Sequence, residues 1–324
     1  MDIRQLKYFL SIVAEGSFSA AAQKIGVAQP SLSQHVLRLE TELGVKLLDR
    51  SPRGVQLTEP GQILARHAGR IVEALDAAVA DIRERGGAPR GPVAFALPSS
   101  VGMALSVPLA ETVRHEHPGI MLRAMDAMSG HVQAWLESGA VDLGILYNVE
   151  AVRHLKVTPL LVEELYLVAA ADAWPHPVGP GGVAVAPVTL REAAALPLVL
   201  PSRSHGLRER IEASARAAGV GLNVTIEMDA LVQIKELAAR GSGYSILAHA
   251  AVRKEVEAGE IVLAPIVEPV LRRTVHLVRN PARPVTRAVL EVERLTLRII
   301  AELVARGLWR GELAPGVDAA ARGG

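Results

Sequence analysis

The 324-residue sequence contains no cysteine. Disulfide bonds and thiolate metal sites are therefore excluded, and a reducing compartment fits this composition. Its longest apolar runs, such as LPLVLP near residue 198, are far shorter than the roughly 20 residues that a membrane helix needs. The first residues, MDIRQLKYFL, mix acidic and basic side chains before a broken apolar run, which is unlike a signal peptide. We expect a cytoplasmic protein without membrane segments.

Strong charge of one sign is also missing. The net charge is +1, and residues 1–60 carry seven basic and six acidic side chains, again a net charge of +1. A broad basic footprint for nucleic acid is therefore absent. Any affinity for DNA must come from the placement of side chains and from dimerisation. Aromatic residues make up only 3% of the chain, which disfavours a ligand stacked between rings.

Residues 17–43 form the most informative stretch that is present. Ser17 or Ser19 can cap a first helix, and Gly26 follows its last apolar residue, where a left-handed residue commonly ends a helix. Pro30 suits the first turn of a second helix, because its missing N–H has no intrahelical partner there. The pattern predicts a helix-turn-helix, which offers its second helix to the major groove of DNA.

The second helix has two faces. Leu32, Val36, Leu39 and Leu43 recur at helical spacing and predict a buried stripe. Ser31, Gln34, His35 and Arg38 lie on the other side, where Ser, Gln and Arg can bond to base edges or phosphates. An ordinary amphipathic surface helix remains the alternative from these residues alone.

Two apolar pieces, VKLL and VQL, flank residues 50–54 and predict a two-stranded wing after the helix-turn-helix. Arg50 and Arg53 at its tip are placed to reach a phosphate backbone or a minor groove. A solvated hairpin tip is the alternative interpretation.

Residues 59–85 carry a 3.5-residue apolar repeat, which predicts a helix that pairs with a partner helix. Packing within one chain would also explain the repeat. GGAPRGP at 86–92 then marks a linker. The repeat consists of Leu64, Ala68, Ile71, Leu75, Ala78 and Ile82.

From Pro92 onward, short apolar strands alternate with helical segments, and this alternation predicts a parallel sheet covered by helices. A final helix is expected from about Thr286 to Leu308. The tail at 311–324 lacks apolar periodicity and is predicted to be disordered.

The segment LKYFLSIVAEGSFSAAAQKIGVAQPSLSQHVLRLETELGVKLLDRSPRGVQLTEPG closely resembles the LysR-type transcriptional regulators. The similarity continues in PGIMLRAMDAMSGHVQAWLESGAVDLGIL, and VDLGILYN is similar to the nitrogen-assimilation-control branch. The resemblance implies a multidomain protein: an all-α winged helix-turn-helix domain with a long dimerisation helix, then an α/β, two-lobed, periplasmic-binding-protein-like domain. We predict a DNA-binding domain at 1–58, a linker and dimerisation helix at 59–88, and an effector-binding domain at 91–308. Lobe one would be 92–162 with 268–308, and lobe two 163–267.

The resemblance also implies partners: a promoter dyad in double-stranded DNA, a second copy of the chain in a dimer or tetramer, RNA polymerase and a small-molecule effector. Family members contact DNA through the start of the recognition helix and the wing. Carried over to this sequence, the DNA-contacting residues are Gln29, Pro30, Ser31, Ser33, Gln34, Arg38 and Arg53, and the position of Arg50 in the wing adds it to them.

Family effectors lie between the lobes, where helix N-termini favour anions. Candidate contacts follow predicted strands, and hydroxyls with one Arg suit a small carboxylate. Plain helix capping by these serines is the alternative. The candidates are Ser99, Ser100, Ser129, His131, Ser202 and Arg203.

No catalytic constellation, metal site or cofactor motif is recognisable. His115 and His117 are two apart on a predicted helix, so they point away from each other and make poor joint ligands. We therefore expect no enzyme and no cofactor. An α/β enzyme with an appended helical domain, or a solute-binding protein, remains the alternative to a regulator.

Overall fold

Three short helices open the chain, and local side chains explain where they begin and end. In α1 (Ile3–Glu15), Asp2 accepts a hydrogen bond from the Gln5 N–H while the Gln5 side chain bonds back, a capping box. Ser17 caps α2 (Phe18–Ile25), and Gly26 ends it with φ 74°. Both boundaries of α2 confirm the prediction. The third helix, α3, spans Gln29–Leu43 and begins one residue before Pro30.

The three helices enclose a hydrophobic core that includes Phe9, Leu32, Val36 and Leu39. The predicted buried stripe of α3 is thus confirmed at its first three positions. It is wrong at Leu43, which is 40% exposed because the helix ends there, at Gly44.

A two-stranded wing and a long helix complete this first unit, Met1–Gly87. The wing pairs β1 (Leu48–Ser51) with β2 (Gly54–Leu57). The helix α4 spans Glu59–Arg83 and packs its start, including Leu64, on the core of the unit. Ala68 is also buried, whereas other members of the predicted repeat are exposed: Ile71, Leu75, Ala78 and Ile82.

Strands and helices alternate through the second unit, Ala88–Gly324, as predicted. The elements are β3 Gly91–Leu97, α5 Ser99–Glu116, β4 Ile120–Asp126, α6 Ser129–Ser138, β5 Leu143–Leu146, β6 Lys156–Ala170, β7 Val188–Thr189, α7 Leu190–Ala195, β8 Leu198–Leu200, α8 Gly206–Ala217, β9 Val224–Glu227, α9 Leu231–Ala239, β10 Ser245–Ala248, α10 His249–Glu257, β11 Ile261–Val267, β12 Arg272–Arg279, α11 Arg287–Ala305 and β13 Glu312–Leu313. This computed structural model describes residues 1–51, 54–83, 88–127, 129–150, 152–203 and 205–317.

The main sheet of this unit is mixed, with the order β4-β3-β5-β12-β6-β11-β7. Strand β3 runs parallel to β4 and β5, but β6 runs antiparallel to β10, β11 and β12. The predicted parallel pairing is therefore confirmed for β3 with β4 and β5, and it is wrong for the strands that pair with β6. The antiparallel pairs arise because the chain passes along β6 and returns along β12 in the opposite direction.

The long strand β6 joins two hydrophobic cores. Its first half pairs with β12 and its second half with β10 and β11. One core includes Phe95, Leu105 and Leu161, and the other includes Leu165 and Ile246. The two cores define lobe one and lobe two, and β6 runs through both of them.

The segment after α11 is ordered as far as Val317, so the prediction of disorder is wrong for residues 311–317. Strand β13 pairs with β6 opposite Leu161 and Val162. Ala314 and Val317 pack against Ala301 of α11, which supplies the burial that the sequence pattern did not indicate. Residues 318–324 lie outside the described part of the chain.

Candidate functional site

The start of α3 presents a polar surface. Its buried side carries Leu32, Val36 and Leu39, so the helix cannot rotate without exposing apolar area. Ser33 is half-buried between the two faces. The remaining predicted DNA-contacting residues of the helix are all exposed: Gln29, Pro30, Ser31, Gln34 and Arg38.

His35 does not belong to the free polar face. Its ring packs edge-on against Tyr8 of α1, with 5.0 Å between the ring centroids, and the residue is half-buried. Helical spacing alone placed His35 beside Gln34 and Arg38, but the contact with α1 makes it part of the helix packing.

A buried carboxylate fixes the wing relative to α3. Glu40 is 8% exposed, and its Oε1 accepts hydrogen bonds from the N–H groups of Leu47 and Leu48 at 2.8 and 3.3 Å. On the other wing strand, the Val55 N–H donates to the Gly16 carbonyl oxygen at 2.9 Å. Sequence reasoning missed Glu40. A charged residue at a position continuous with a buried stripe was the available signal.

The wing tip lies partly outside the described residues. The backbone of Arg50 belongs to β1 and pairs with Val55, whereas Pro52 and Arg53 and the Arg50 side chain are not described. The predicted phosphate contacts of Arg50 and Arg53 stay predictions.

A small cleft separates the two lobes, with a cavity volume of about 50 Å³. That volume accommodates roughly three to five water molecules, well below the 300–1,000 Å³ of typical drug-sized ligand sites. The described lining is mainly apolar: Pro98, Ala127, Pro201, Leu207, Leu231, Ile234, Leu247, Ala248 and Ala251. Its polar members are Ser99, Ser100, Tyr147, His205, Asp229 and Arg273.

Arg273 of β12 is the centre of a buried polar network in the cleft. Its Nε and Nη2 lie 2.7 Å from Oε1 of Glu163 on β6, and Nη2 also donates to Ser100 Oγ at 3.2 Å. The guanidinium lies 3.8 Å from the centroid of the Tyr147 ring. The second carboxylate oxygen of Glu163 accepts from Trp309 Nε1 at 2.7 Å, so both partners of the ion pair are hydrogen-bonded.

Burial controls the titration of two groups beside this network. Desolvation raises the pKa of the Tyr147 hydroxyl to about 12, and this hydroxyl lies 2.6 Å from Ser100 Oγ. Burial, reinforced by the Arg273 charge, lowers the pKa of His205. His205 Nδ1 accepts from the Leu207 N–H at 3.1 Å, so a neutral imidazole carries its proton on Nε2.

Among the predicted effector contacts, Ser99 and Ser100 line the cleft. His131 is exposed and stacks on Trp135, with 6.2 Å between the ring centroids. The Ser202 N–H donates to Asp229 at 2.9 Å. Arg203 is 80% exposed and lies 3.8 Å from Glu212. Ser129 begins α6, but its side chain is not described.

The cationic group that sequence reasoning missed is Arg273. It stands directly opposite Glu163 in the strand register, so the fold brings together two residues that are distant in sequence. Neither residue alone signals a cleft.

Within the described residues, no group of His, Asp and Glu side chains is arranged to hold a metal ion. None of the helices in this described part of the chain has the length and apolarity required to cross a membrane.

The geometry defines a winged helix-turn-helix unit followed by a two-lobed α/β unit with a cleft between its lobes. Residues 3–62 match the family described as bacterial regulatory helix-turn-helix protein, lysR family, and residues 86–298 match the LysR substrate binding domain. The chain belongs to the LysR family of DNA-binding transcriptional regulators, which confirms the resemblance seen in the sequence.

Two curated relatives align over most of their length. The nitrogen assimilation regulatory protein nac of Klebsiella aerogenes is 32% identical over 296 residues, which is 90% of this chain and 94% of the relative. The DNA-binding transcriptional dual regulator OxyR of Escherichia coli is 28% identical over 284 residues, 88% and 91% of the two chains. Both are described as regulators and neither as an enzyme.

Solved structures share the fold. A full-length OxyR variant from Pseudomonas aeruginosa superposes with a TM-score of 0.70 at 23% identity, over 97% of this chain and 98% of that one. Full-length CbnR complexed with its target DNA gives a TM-score of 0.61 at 21% identity, over 94% and 99%.

Proposed function

We propose that this regulator recognises an imperfect promoter dyad with α3 and contacts the flanking phosphates with its wing. The observation that carries the proposal is the one-sided burial of α3, which leaves Gln29, Ser31, Gln34 and Arg38 exposed together. Gln34 suits bidentate pairing with adenine, and Arg38 suits guanine or phosphate. We assign Pro30 and Ser33 to the same contact surface, and Arg50 and Arg53 to phosphate contacts.

A dimer would account for the apolar face of α4 and would double the DNA contacts of a unit that has little net positive charge. Ile71, Leu75 and Ile82 are exposed in the single chain, and a second copy of α4 would bury them. Two recognition helices would then dock in successive major grooves, about 34–36 Å apart or a multiple of that spacing. Dimers of this kind can assemble further into a tetramer. CbnR, which shares the fold, is described in complex with its target DNA.

In this proposal a small molecule in the cleft shifts the lobes and so changes promoter binding and contact with RNA polymerase in the cytoplasm. A coupling of only about 1–3 kcal/mol would suffice. The cleft is lined by Ser100 of lobe one and by Ile234 and Leu247 of lobe two, so a ligand there contacts both lobes. An enzyme is the less favoured alternative, since the relatives are described as regulators.

Gln34→Ala tests base reading. The operator is first selected from a random DNA pool, and affinities are then measured for that operator and for unrelated DNA. We expect a loss of about 1–3 kcal/mol on the operator and a relaxed base preference at one position. Gln233→Ala, an exposed glutamine on α9, is the matched control. Equal losses on operator and unrelated DNA would refute base reading by Gln34.

A further inference from the structure

The buried cation of the cleft is already neutralised by the chain. Arg273 is 7% exposed and Glu163 is 1% exposed, and they bond through two nitrogens and one carboxylate oxygen. The remaining Glu163 oxygen is taken by Trp309. Among the lining residues that the structure describes, Arg273 is the one with a permanent positive charge. An entering anion would therefore compete with Glu163 for the Arg273 guanidinium.

Helix N-termini at the cleft also face carboxylates of the chain. Ser99, the first residue of α5, donates its hydroxyl to Asp126 at 2.8 Å. Asp229 lies just before α9 at the cleft, and the Ser202 N–H lowers the pKa of its carboxyl group. Both carboxylates lie close to the start of a helix, and each accepts a hydrogen bond from a serine. Their negative charge also opposes the approach of an anion.

The interior of the cleft is unfavourable for an anion. Nine of its fifteen described lining residues are apolar, and the Arg273–Glu163 pair has no free charge to offer. An unpaired ion in such surroundings loses its hydration without compensation. Ser100, Tyr147 and the Nε2–H of a neutral His205 can still exchange hydrogen bonds with an uncharged polar group.

We infer that the cleft takes a small uncharged ligand and rejects anions, and that Glu163 is the residue that determines this specificity. The inference rests on the proposed function, which makes the cleft an effector site, and it names the chemical class of the effector. It departs from the carboxylate effector predicted from the serines and Arg203. Glu163 takes the place of an effector carboxylate on Arg273.

Acetamide and acetate test the inference, because they have the same shape and the same four non-hydrogen atoms but differ in charge. Saturation-transfer NMR on the full-length protein measures the dissociation constant of each probe at equal ionic strength. For the wild-type protein we expect acetamide to bind at least tenfold more tightly than acetate. For Glu163→Gln we expect acetate affinity to rise at least tenfold, since Arg273 regains a free charge.

Glu164→Gln is the matched control. It removes the neighbouring carboxylate, which pairs with Arg272 at 2.8 Å in a more exposed setting. This variant should keep the wild-type preference for acetamide. Wild-type protein that binds acetate as tightly as acetamide would overturn the inference, and that comparison needs no variant. Equal acetate affinities in the Glu163 and Glu164 variants would overturn it as well.

The ligand specificity of the cleft and the proposed DNA recognition can fail independently of each other. If Gln34→Ala leaves operator recognition intact, base reading fails whatever the cleft binds. If acetamide binds selectively but leaves operator affinity unchanged, the specificity of the cleft stands and its effector role fails.

Discussion

The recognition face of α3 and the inter-lobe cleft are both polar sites, but the chain builds them differently. The contacts proposed for α3 lie within ten consecutive residues of one helix, and most of them are exposed. The cleft depends on Glu163 and Arg273, which are 110 positions apart and buried together. A helical face follows from local spacing, whereas a buried ion pair exists only after the sheet has formed. The two sites should therefore respond differently to mutation.

The largest effect is expected from Arg273→Ala. The variant leaves Glu163 buried without its counter-ion, which typically destabilises a protein by about 3–5 kcal/mol. Urea unfolding of the full-length protein would measure the loss. Arg272→Ala is the matched control on the next residue: its pair with Glu164 is largely solvated, so we expect at most about 1 kcal/mol.

Equal losses from the two arginine variants would contradict this part of the comparison. That outcome would mean that water reaches Glu163 freely. The loss of a charge in the cleft would then cost as little stability as the loss of a charge on the exposed face of α3.

A smaller effect is expected from Glu40→Ala in the DNA-binding unit. The variant removes the acceptor of two buried N–H groups, those of Leu47 and Leu48, at a cost of about 1–3 kcal/mol. Unfolding measurements would show the loss, and the wing should lose its fixed position relative to α3. Glu42→Ala, an exposed carboxylate near the end of the same helix, is the control and should change stability by less than about 1 kcal/mol. A Glu40 variant as stable as the control would show that the wing is held by other contacts.

Local features of the DNA-binding unit were predictable from the sequence. Ser17 and Gly26 define α2 through a side-chain cap and a left-handed residue, both of which depend on immediate neighbours. The buried positions Leu32, Val36 and Leu39 follow from helical spacing. His35 was misplaced because its partner, Tyr8, belongs to another helix.

Features that depend on distant parts of the chain were not predictable. The mixed sheet and the ordered segment at 311–317 both depend on pairing with β6, which no local pattern reveals. Glu163 and Arg273 each interrupt an alternation of buried apolar residues, and a charged residue at an inward-facing position was the only available signal.

The smallest effect is expected from Arg203→Ala. This variant tests most directly whether the ligand specificity of the cleft depends on a residue predicted from the local sequence or on the buried pair of distant residues. The sequence suggested Arg203 as the anion-binding residue because it follows a predicted strand. In the structure its side chain is 80% exposed, and Glu212 keeps a second partner, Arg208, at 2.9 Å. We expect a stability change below about 0.5 kcal/mol and an unchanged preference for acetamide over acetate. If Arg203→Ala instead weakens ligand binding tenfold or more, the cleft of the full-length protein is organised by the local pattern and not by the buried pair.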